Sequence, residues 1–404
     1  MNQLIQKEPL LKGRICMKPF VSTEIHLNGK LYFCCPSWQK TPYGEYKENS
    51  LEKEWNSELA KDIRRSILEG SYKYCDTDMC PFIQSGDLKS FYFLKPEERK
   101  LIKEAKKSLS LKNQPRELML NYDPSCNLSC ESCRKEKISH STDSEEFKIS
   151  RDLTNKFTED FFSYSNGEER TLNITGSGDP FASQVFREFL ENLDGESFPN
   201  LKINLQTNGV LFTPNMWERL SKIHKNISEV FVSIDAASKE TYLIVRKGGH
   251  WEKLLQNVEF LKSLKEKGLI DRLQFNFVVQ KRNYNEMVEF VQKFGQEKFV
   301  EINFSLVDDW GSWEKSIYRE HAVWDESHLE YGKFLALISH PIFELPQVYL
   351  GNLNSIREKA LILKSKELSL SFRVKFKLNH FYKKKVKRYL NFIHWGFKKL
   401  VSVF

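Results

Sequence analysis

Eight cysteines, Cys16, Cys34, Cys35, Cys75, Cys80, Cys126, Cys130 and Cys133, carry the reactive chemistry of this 404-residue chain, and none lies beyond Cys133. Incidental core thiols would be scattered, so their confinement to the first third points to metal or redox chemistry. Cys126-Asn-Leu-Ser-Cys130-Glu-Ser-Cys133 has the spacing C-x3-C-x2-C directly after a predicted strand. Three thiolates hold three irons of a 4Fe–4S cube and leave the fourth iron open to an outside ligand. A closed zinc site would need a fourth protein ligand, for which His140 is the nearest candidate. Upstream, Cys16 and Cys34 frame C-x12-G-x4-C around Gly29, and Cys75 and Cys80 form C-x4-C-P. These four soft thiolates suit an iron–sulfur cluster or a zinc ion alike. Cys35 is spare, or an alternative to Cys34.

These residues need elements to hold them. From Pro115 onward short apolar runs alternate with helical patterns. Strands are predicted at Glu117–Asn121, Leu172–Thr175, Lys202–Gln206, Glu229–Ile234, Arg272–Val279 and Glu301–Leu306. Helices are predicted near Asp152–Ser163, Gln184–Leu193, Pro214–Ile223, Lys253–Lys267 and Tyr284–Phe294. Such alternation implies an α/β fold with a parallel sheet, open or curled into a partial barrel, whose ligands sit at the strands' C-terminal ends. Upstream, apolar positions from Leu51 to Ile67 recur every fourth residue and predict one helix over roughly Leu51 to Glu69. Pro96 to Leu111 reads as a charged connector helix with Pro in its first turn. The expected division is 1–95, a cysteine-bearing module; 96–114, a connector; 115–310, the core; 311–370, a helical extension; and 371–404, a basic tail.

Composition narrows the class. With 40% hydrophobic residues, 13 Pro and 18 Gly, the chain is neither disordered nor collagen-like. It has no apolar run long enough to span a membrane and no apolar signal segment at its start, so a cytoplasmic location is expected. Residues 371–404 hold eight Lys and two Arg without a single acid, while the whole chain carries only +8, so the body is near neutral. Nucleic acid is not the expected partner. In the tail, Leu378, Tyr382, Val386, Tyr389, Ile393, Phe397, Leu400 and Phe404 fall on one helical face with lysines mostly off it. That pattern suits a helix lying on an anionic membrane surface, at the inner face of the membrane.

The cysteine loop resembles the signature of the radical S-adenosylmethionine (SAM) superfamily, over roughly residues 115–310. The resemblance implies a partial (β/α)6 barrel, with Cys126, Cys130 and Cys133 on a 4Fe–4S cluster whose open iron binds SAM. It also implies one-electron cleavage of SAM to methionine and a 5′-deoxyadenosyl radical that abstracts a substrate hydrogen. Three further segments match in order. Gly176-Ser177-Gly178-Asp179 resembles the stretch that meets the methionine amino group. Gln206-Thr207-Asn208-Gly209 resembles the usual third-strand end. Ser233-Ile234-Asp235, followed by Arg246, is similar to the segment whose Ser and Arg contact SAM, and Gln280 is a weaker candidate. Many members carry an aromatic residue just before the third cysteine, where this chain has Ser132.

The upstream cysteines resemble a SPASM or twitch module, which implies an auxiliary 4Fe–4S cluster on Cys16, Cys34, Cys75 and Cys80. In the family this module normally follows the core; here it precedes it. The resemblance further implies a reducing partner such as flavodoxin or ferredoxin. The expected substrate is a small molecule, a sugar nucleotide or a glycan. The alternatives are a peptide, as for maturases with this module, and a non-enzymatic zinc or electron-carrier protein. Asp308, Asp309, Trp310 and Trp313, just past the sixth strand, are candidates for substrate contact.

Overall fold

A computed structural model describes residues 11–112, 114–163 and 167–366. The basic tail, with its expected amphipathic helix, lies outside these residues.

Among the described residues there are twelve strands. Near the start come β1 (Arg14–Ile15), β2 (Ser22–His26), β3 (Lys30–Tyr32), β4 (Gly44–Glu45) and β5 (Lys89–Ser90). The core follows with β6 (Glu117–Asn121), β7 (Arg170–Ile174), β8 (Leu201–Thr207), β9 (Ile227–Ser233), β10 (Arg272–Val279), β11 (Val300–Leu306) and β12 (Val348–Tyr349). All six predicted core strands exist, with ends shifted by two residues or fewer. One ten-stranded sheet runs β12-β11-β10-β9-β8-β7-β6-β2-β3-β4, parallel from β12 to β2, and it remains open rather than closing into a barrel. Strands β1 and β5 form a separate antiparallel ribbon.

The two faces of this sheet differ. Leu118, Leu120, Leu172, Ile203, Leu205, Val230, Val232, Phe275, Phe277, Ile302 and Phe304 are fully buried and belong to one core with the covering helices. Phe277 packs edge-on to Phe290 of helix Met287–Phe294, and Phe275 to Phe294. The alternate residues form polar rows on the opposite, polar face. Register places Glu24 beside Met119, Met119 beside Asn173, and Asn173 beside Asn204. Further along, Ser233, Asn276, Asn303 and Tyr349 lie abreast. Parallel strands are usually apolar on both sides. Here the period-two alternation means that one face borders a hydrophilic space.

The upstream module is joined to the core by backbone. Strand β2 pairs in parallel with β6, Ser22 opposite Glu117 through His26 opposite Asn121, so the sheet continues across the expected module boundary. Arg64, with none of its surface exposed, ties the module to the connector that leads into the core. Its Nε donates to the Pro19 carbonyl at 2.9 Å and its Nη1 to the Leu109 carbonyl at 3.2 Å, while the guanidinium lies 4.5 Å from the Trp55 ring centre. The helix predicted over Leu51 to Glu69 is two helices, Leu51–Trp55 and Glu58–Glu69, because Ser57 caps the second by accepting from Ala60 N.

Candidate functional site

Strand β6 ends at Asn121, and the chain then enters the cysteine loop. Asp123, buried, accepts from Ser125 N at 2.9 Å and from the Ser183 hydroxyl at 2.6 Å, which fixes the loop's entry. Cys126 N donates to the Ile138 carbonyl, and Ser129 N to the Lys247 carbonyl. Cys133 N and Arg134 N both donate to the Cys130 carbonyl, which turns the chain between the second and third cysteines. Arg134 donates to the Pro124 and Ser177 carbonyls, each at 2.5 Å, and reaches Cys133 Sγ at 3.3 Å. The three thiols are free and graded in exposure: Cys130 buried, Cys126 intermediate, Cys133 exposed. Burial pushes the Cys126 thiol up to about 11. Burial also raises Cys130, against the opposing charge of Arg246.

The other expected segments gather around this loop. A Cβ at Gly178 would lie 2.5 Å from the Ser125 carbonyl oxygen and 2.8 Å from that of Asp123, so only glycine allows this approach. Gly176 N donates to Asn121 Oδ1 at 2.6 Å; Ser177 N and Gly178 N both donate to Thr175 Oγ1 at 3.0 Å. With its amides used internally, this segment can offer an ammonium group carbonyl oxygens. Asp179 is fully buried, and its carboxylate accepts from the Thr207 hydroxyl, Asn208 N and Phe181 N. It ties the end of β8 to the glycine segment rather than facing the opening. Asn208 Nδ2 lies 3.8 Å from Cys126 Sγ and donates to Asn127 Oδ1 at 2.8 Å.

After β9, Asp235 adopts a left-handed φ of 62°. Its carboxylate accepts from Val278 N at 2.7 Å and meets Arg246 Nη2 at 2.7 Å. Arg246 Nη1 lies 3.8 Å from Cys130 Sγ, while its Nε is buried without a protein partner. Burial works against the charge on Arg246, but Asp235 and then Cys130 hold its pKa above the ordinary value. Ser233 lies on the polar face beside Asn276. Gln280 is buried just past β10, its backbone N donating to Asn283 Oδ1.

The upstream thiols form a second centre. Cys16, Cys34, Cys75 and Cys80 line one cavity, together with Lys18, Trp38, Tyr72 and several apolar side chains. Among the described residues no three His, Cys, Asp or Glu side chains stand close enough to hold a single metal ion. Cys35 is not among the lining residues. Burial lifts its thiol to about 11, and the charges of Glu24 and Asp308 add to that. The segment past β11 divides. Asp308 approaches Cys35 electrostatically, Asp309 accepts from Gly311 N, Trp313 stacks on His321 at 4.3 Å, and Trp310 is 55% exposed.

Several residues at these centres carry no motif: Glu24, His26, Asn121, Lys18 and Trp38. The Glu24 carboxylate lies 2.9 Å from His26 Nε2 and accepts from Asn121 Nδ2 at 3.2 Å. The signal that could have found the first two was the alternation Ser22-Thr23-Glu24-Ile25-His26, a strand with a polar face.

Comparison with known proteins agrees with this geometry. The radical SAM superfamily profile matches residues 120–294, and the SPASM iron–sulfur cluster-binding domain matches residues 16–81. No curated protein matches the chain. Similar solved structures include Streptococcus suis SuiB bound to S-adenosylmethionine, at 16% identity over 72% of this chain and 62% of that one, with a TM-score of 0.38. They also include native anSMEcpe with bound AdoMet, at 21% identity over 58% of this chain and 64% of that one, TM-score 0.41. A third is TYW1 with a lysine–pyruvate adduct bound, at 14% identity over 55% of this chain and 70% of that one, TM-score 0.31. The chain thus spans less than two thirds of the SuiB and anSMEcpe chains. The two matched domains imply a 4Fe–4S cluster that works with SAM and an auxiliary cluster. Residues 120–294 thus form a radical SAM superfamily domain, with a SPASM domain on its N-terminal side.

Proposed function

We propose that this chain is a radical SAM enzyme acting on a hydroxyl-rich small molecule, a sugar nucleotide or a glycan. The convergence of Arg246, Asn208 and the glycine segment on Cys126, Cys130 and Cys133 carries the chemistry. What the bound cofactors supply is one-electron cleavage of SAM and removal of a hydrogen atom from a substrate. The chain's own residues bind and orient. Cys126, Cys130 and Cys133 hold three irons, and Arg134 and Arg246 place positive charge against the thiolates. Arg246, aligned by Asp235, would supply the positive charge that the carboxylate of SAM requires. The carbonyl oxygens of the glycine segment receive the ammonium, and Asp179 fixes that segment in place. Cys16, Cys34, Cys75 and Cys80 hold the auxiliary cluster.

The polar face supports the substrate class. Asn173, Asn204, Asn276 and Asn303 place side-chain amides in rows; Asn204 Nδ2 donates to Asn173 Oδ1 at 3.0 Å and Gln274 Nε2 to Asn276 Oδ1 at 2.6 Å, and Asn204 Oδ1 is buried without a partner. A side-chain amide both donates and accepts, as a hydroxyl-rich ligand requires, and a buried orphan acceptor is costly until something donates to it. Arg272, paired with Glu229 and Glu301, closes the lower end of the face.

The test is anaerobic incubation of reconstituted protein with SAM, dithionite and either the small-molecule or the peptide fraction of a cell extract. The expected outcome is 5′-deoxyadenosine formation stimulated by the small-molecule fraction, with loss of a hydroxylated compound. Stimulation confined to the peptide fraction would replace the substrate assignment with the maturase alternative and leave the chemistry intact.

A further inference from the structure

Cys34 follows β3, and the chain turns immediately. The Cys35 carbonyl accepts from Trp38 N at 3.1 Å and Gln39 N at 3.0 Å, which brings the Trp38 ring back over Cys34. There the indole Nε1–H donates to Cys34 Sγ at 2.7 Å. The same residue reaches the other half of the site, because its carbonyl accepts from Asp76 N at 2.7 Å, one residue past Cys75. Asp76 is held in turn by Lys40 at 3.1 Å. Trp38 therefore touches a ligand sulfur with its side chain and the second pair of cysteines with its backbone.

The formal charges nearby offset one another. Lys18 lines the same cavity, but its ammonium is paired with Glu117 at 3.1 Å. The Glu24 carboxylate acts on Cys34 with the opposite sign to Lys18. What remains are N–H dipoles: backbone amides of Lys18 at Cys16 and of Phe82 and Ile83 at Cys80, and one side-chain N–H, that of Trp38, at Cys34. Reducing a thiolate-bound iron–sulfur cluster adds one electron and neither makes nor breaks a bond. The added negative charge spreads onto the sulfurs, so an N–H donor to a ligand sulfur stabilises the reduced form more than the oxidised one.

We propose that Trp38 sets the reduction potential of the N-terminal site, raising it through the indole hydrogen bond to Cys34 so that this site is biased toward receiving an electron. This rests on the reading that Cys16, Cys34, Cys75 and Cys80 hold an iron–sulfur cluster. Trp38 is a positioning and tuning residue that meets no substrate.

The experiment uses the full chain carrying Cys126→Ala, Cys130→Ala and Cys133→Ala, so that the upstream site alone is loaded, and follows its reduction by potentiometric EPR. In the Trp38→Phe version the midpoint should move to more negative potential while iron and sulfide per chain stay constant. Lys18→Met should move it less, because Lys18 is already paired. An unchanged midpoint in Trp38→Phe with the cluster intact overturns the proposal. If Trp38→Phe fails to hold a cluster, the test passes to protein with Trp38 in place. Labelled with 15N-tryptophan, its reduced cluster should show a 15N hyperfine coupling, and its absence overturns the assignment equally. Protein that takes up zinc but no iron defeats the underlying cluster reading instead, and metal analysis distinguishes the two failures.

Discussion

Past the end of β9, the Asp235 carboxylate holds the Arg246 guanidinium at 2.7 Å, and the same guanidinium approaches Cys130. Lysine cannot reproduce this two-sided contact, because it is a point charge on a flexible stem rather than a planar fork. Arg246→Lys should weaken SAM binding by about tenfold to a hundredfold, the equivalent of one charged hydrogen bond of about 1.5–3 kcal/mol. Equilibrium binding of SAM to reconstituted protein measures this, and iron content should not change. Asp235→Ala acts differently, because it strands a buried guanidinium. It should cost about 3–5 kcal/mol of stability in denaturant titration, against well under 1 kcal/mol for loss of an exposed pair. Much at this scale was legible beforehand. The cysteine loop, the glycine segment, Asn208, Asp235 and Arg246 stand together as their order along the chain suggested. The setting of Asp179 was not, because a carboxylate open to a ligand and one that accepts from backbone N–H groups look alike until burial is known.

Elements place these residues, and here the two-faced sheet decides most. Phe277→Ala, on the helix-covered face, should lose about 3–5 kcal/mol of stability. Asn303→Ala, on the polar face one strand away, should change stability by less than about 1 kcal/mol. Equal losses in the two variants would contradict the assignment of faces. Glu286 serves the segment between β9 and Arg246: its carboxylate accepts from Ala237 N, Ser238 N and the hydroxyls of Ser238 and Thr241. Burial works to raise its pKa, but the Ser238 and Thr241 hydroxyls and the two backbone groups hold it below the usual carboxylate range. A depressed native pKa means stability that is full above the unfolded value and is lost as pH falls through the folded one. Glu286→Gln should therefore be less stable at neutral pH, with the gap narrowing in acid, as urea midpoints across pH would show. Strand positions were readable from alternation and flanking turns. The break at Ser57 was not, because the four-residue apolar spacing runs straight through it and only the cap separates the two helices.

Across the whole molecule, β2 makes the upstream module part of the core's own sheet. Sequence suggested a module joined through a connector helix. The β2–β6 pairing links residues about a hundred apart, and long-range register leaves no local signal. A chain lacking residues 1–95 would bare the edge of β6, and it should aggregate where the full chain stays monodisperse. Sequence alone supports one more expectation. Truncation after Ser371 should abolish co-sedimentation with anionic liposomes, and equal sedimentation of both forms would remove the membrane reading. Among the described residues no helix is long and apolar enough to cross a membrane.

The central claim is that two separate cysteine groups hold two clusters and that one of them works on SAM. Its most direct measurement is iron and acid-labile sulfide per chain after anaerobic reconstitution, with dithionite-driven SAM cleavage assayed on the same sample. About eight of each, falling to about four with loss of 5′-deoxyadenosine when Cys126, Cys130 and Cys133 are replaced, is the expected result. Folded protein that takes up no iron and sulfide and cleaves no SAM would contradict it.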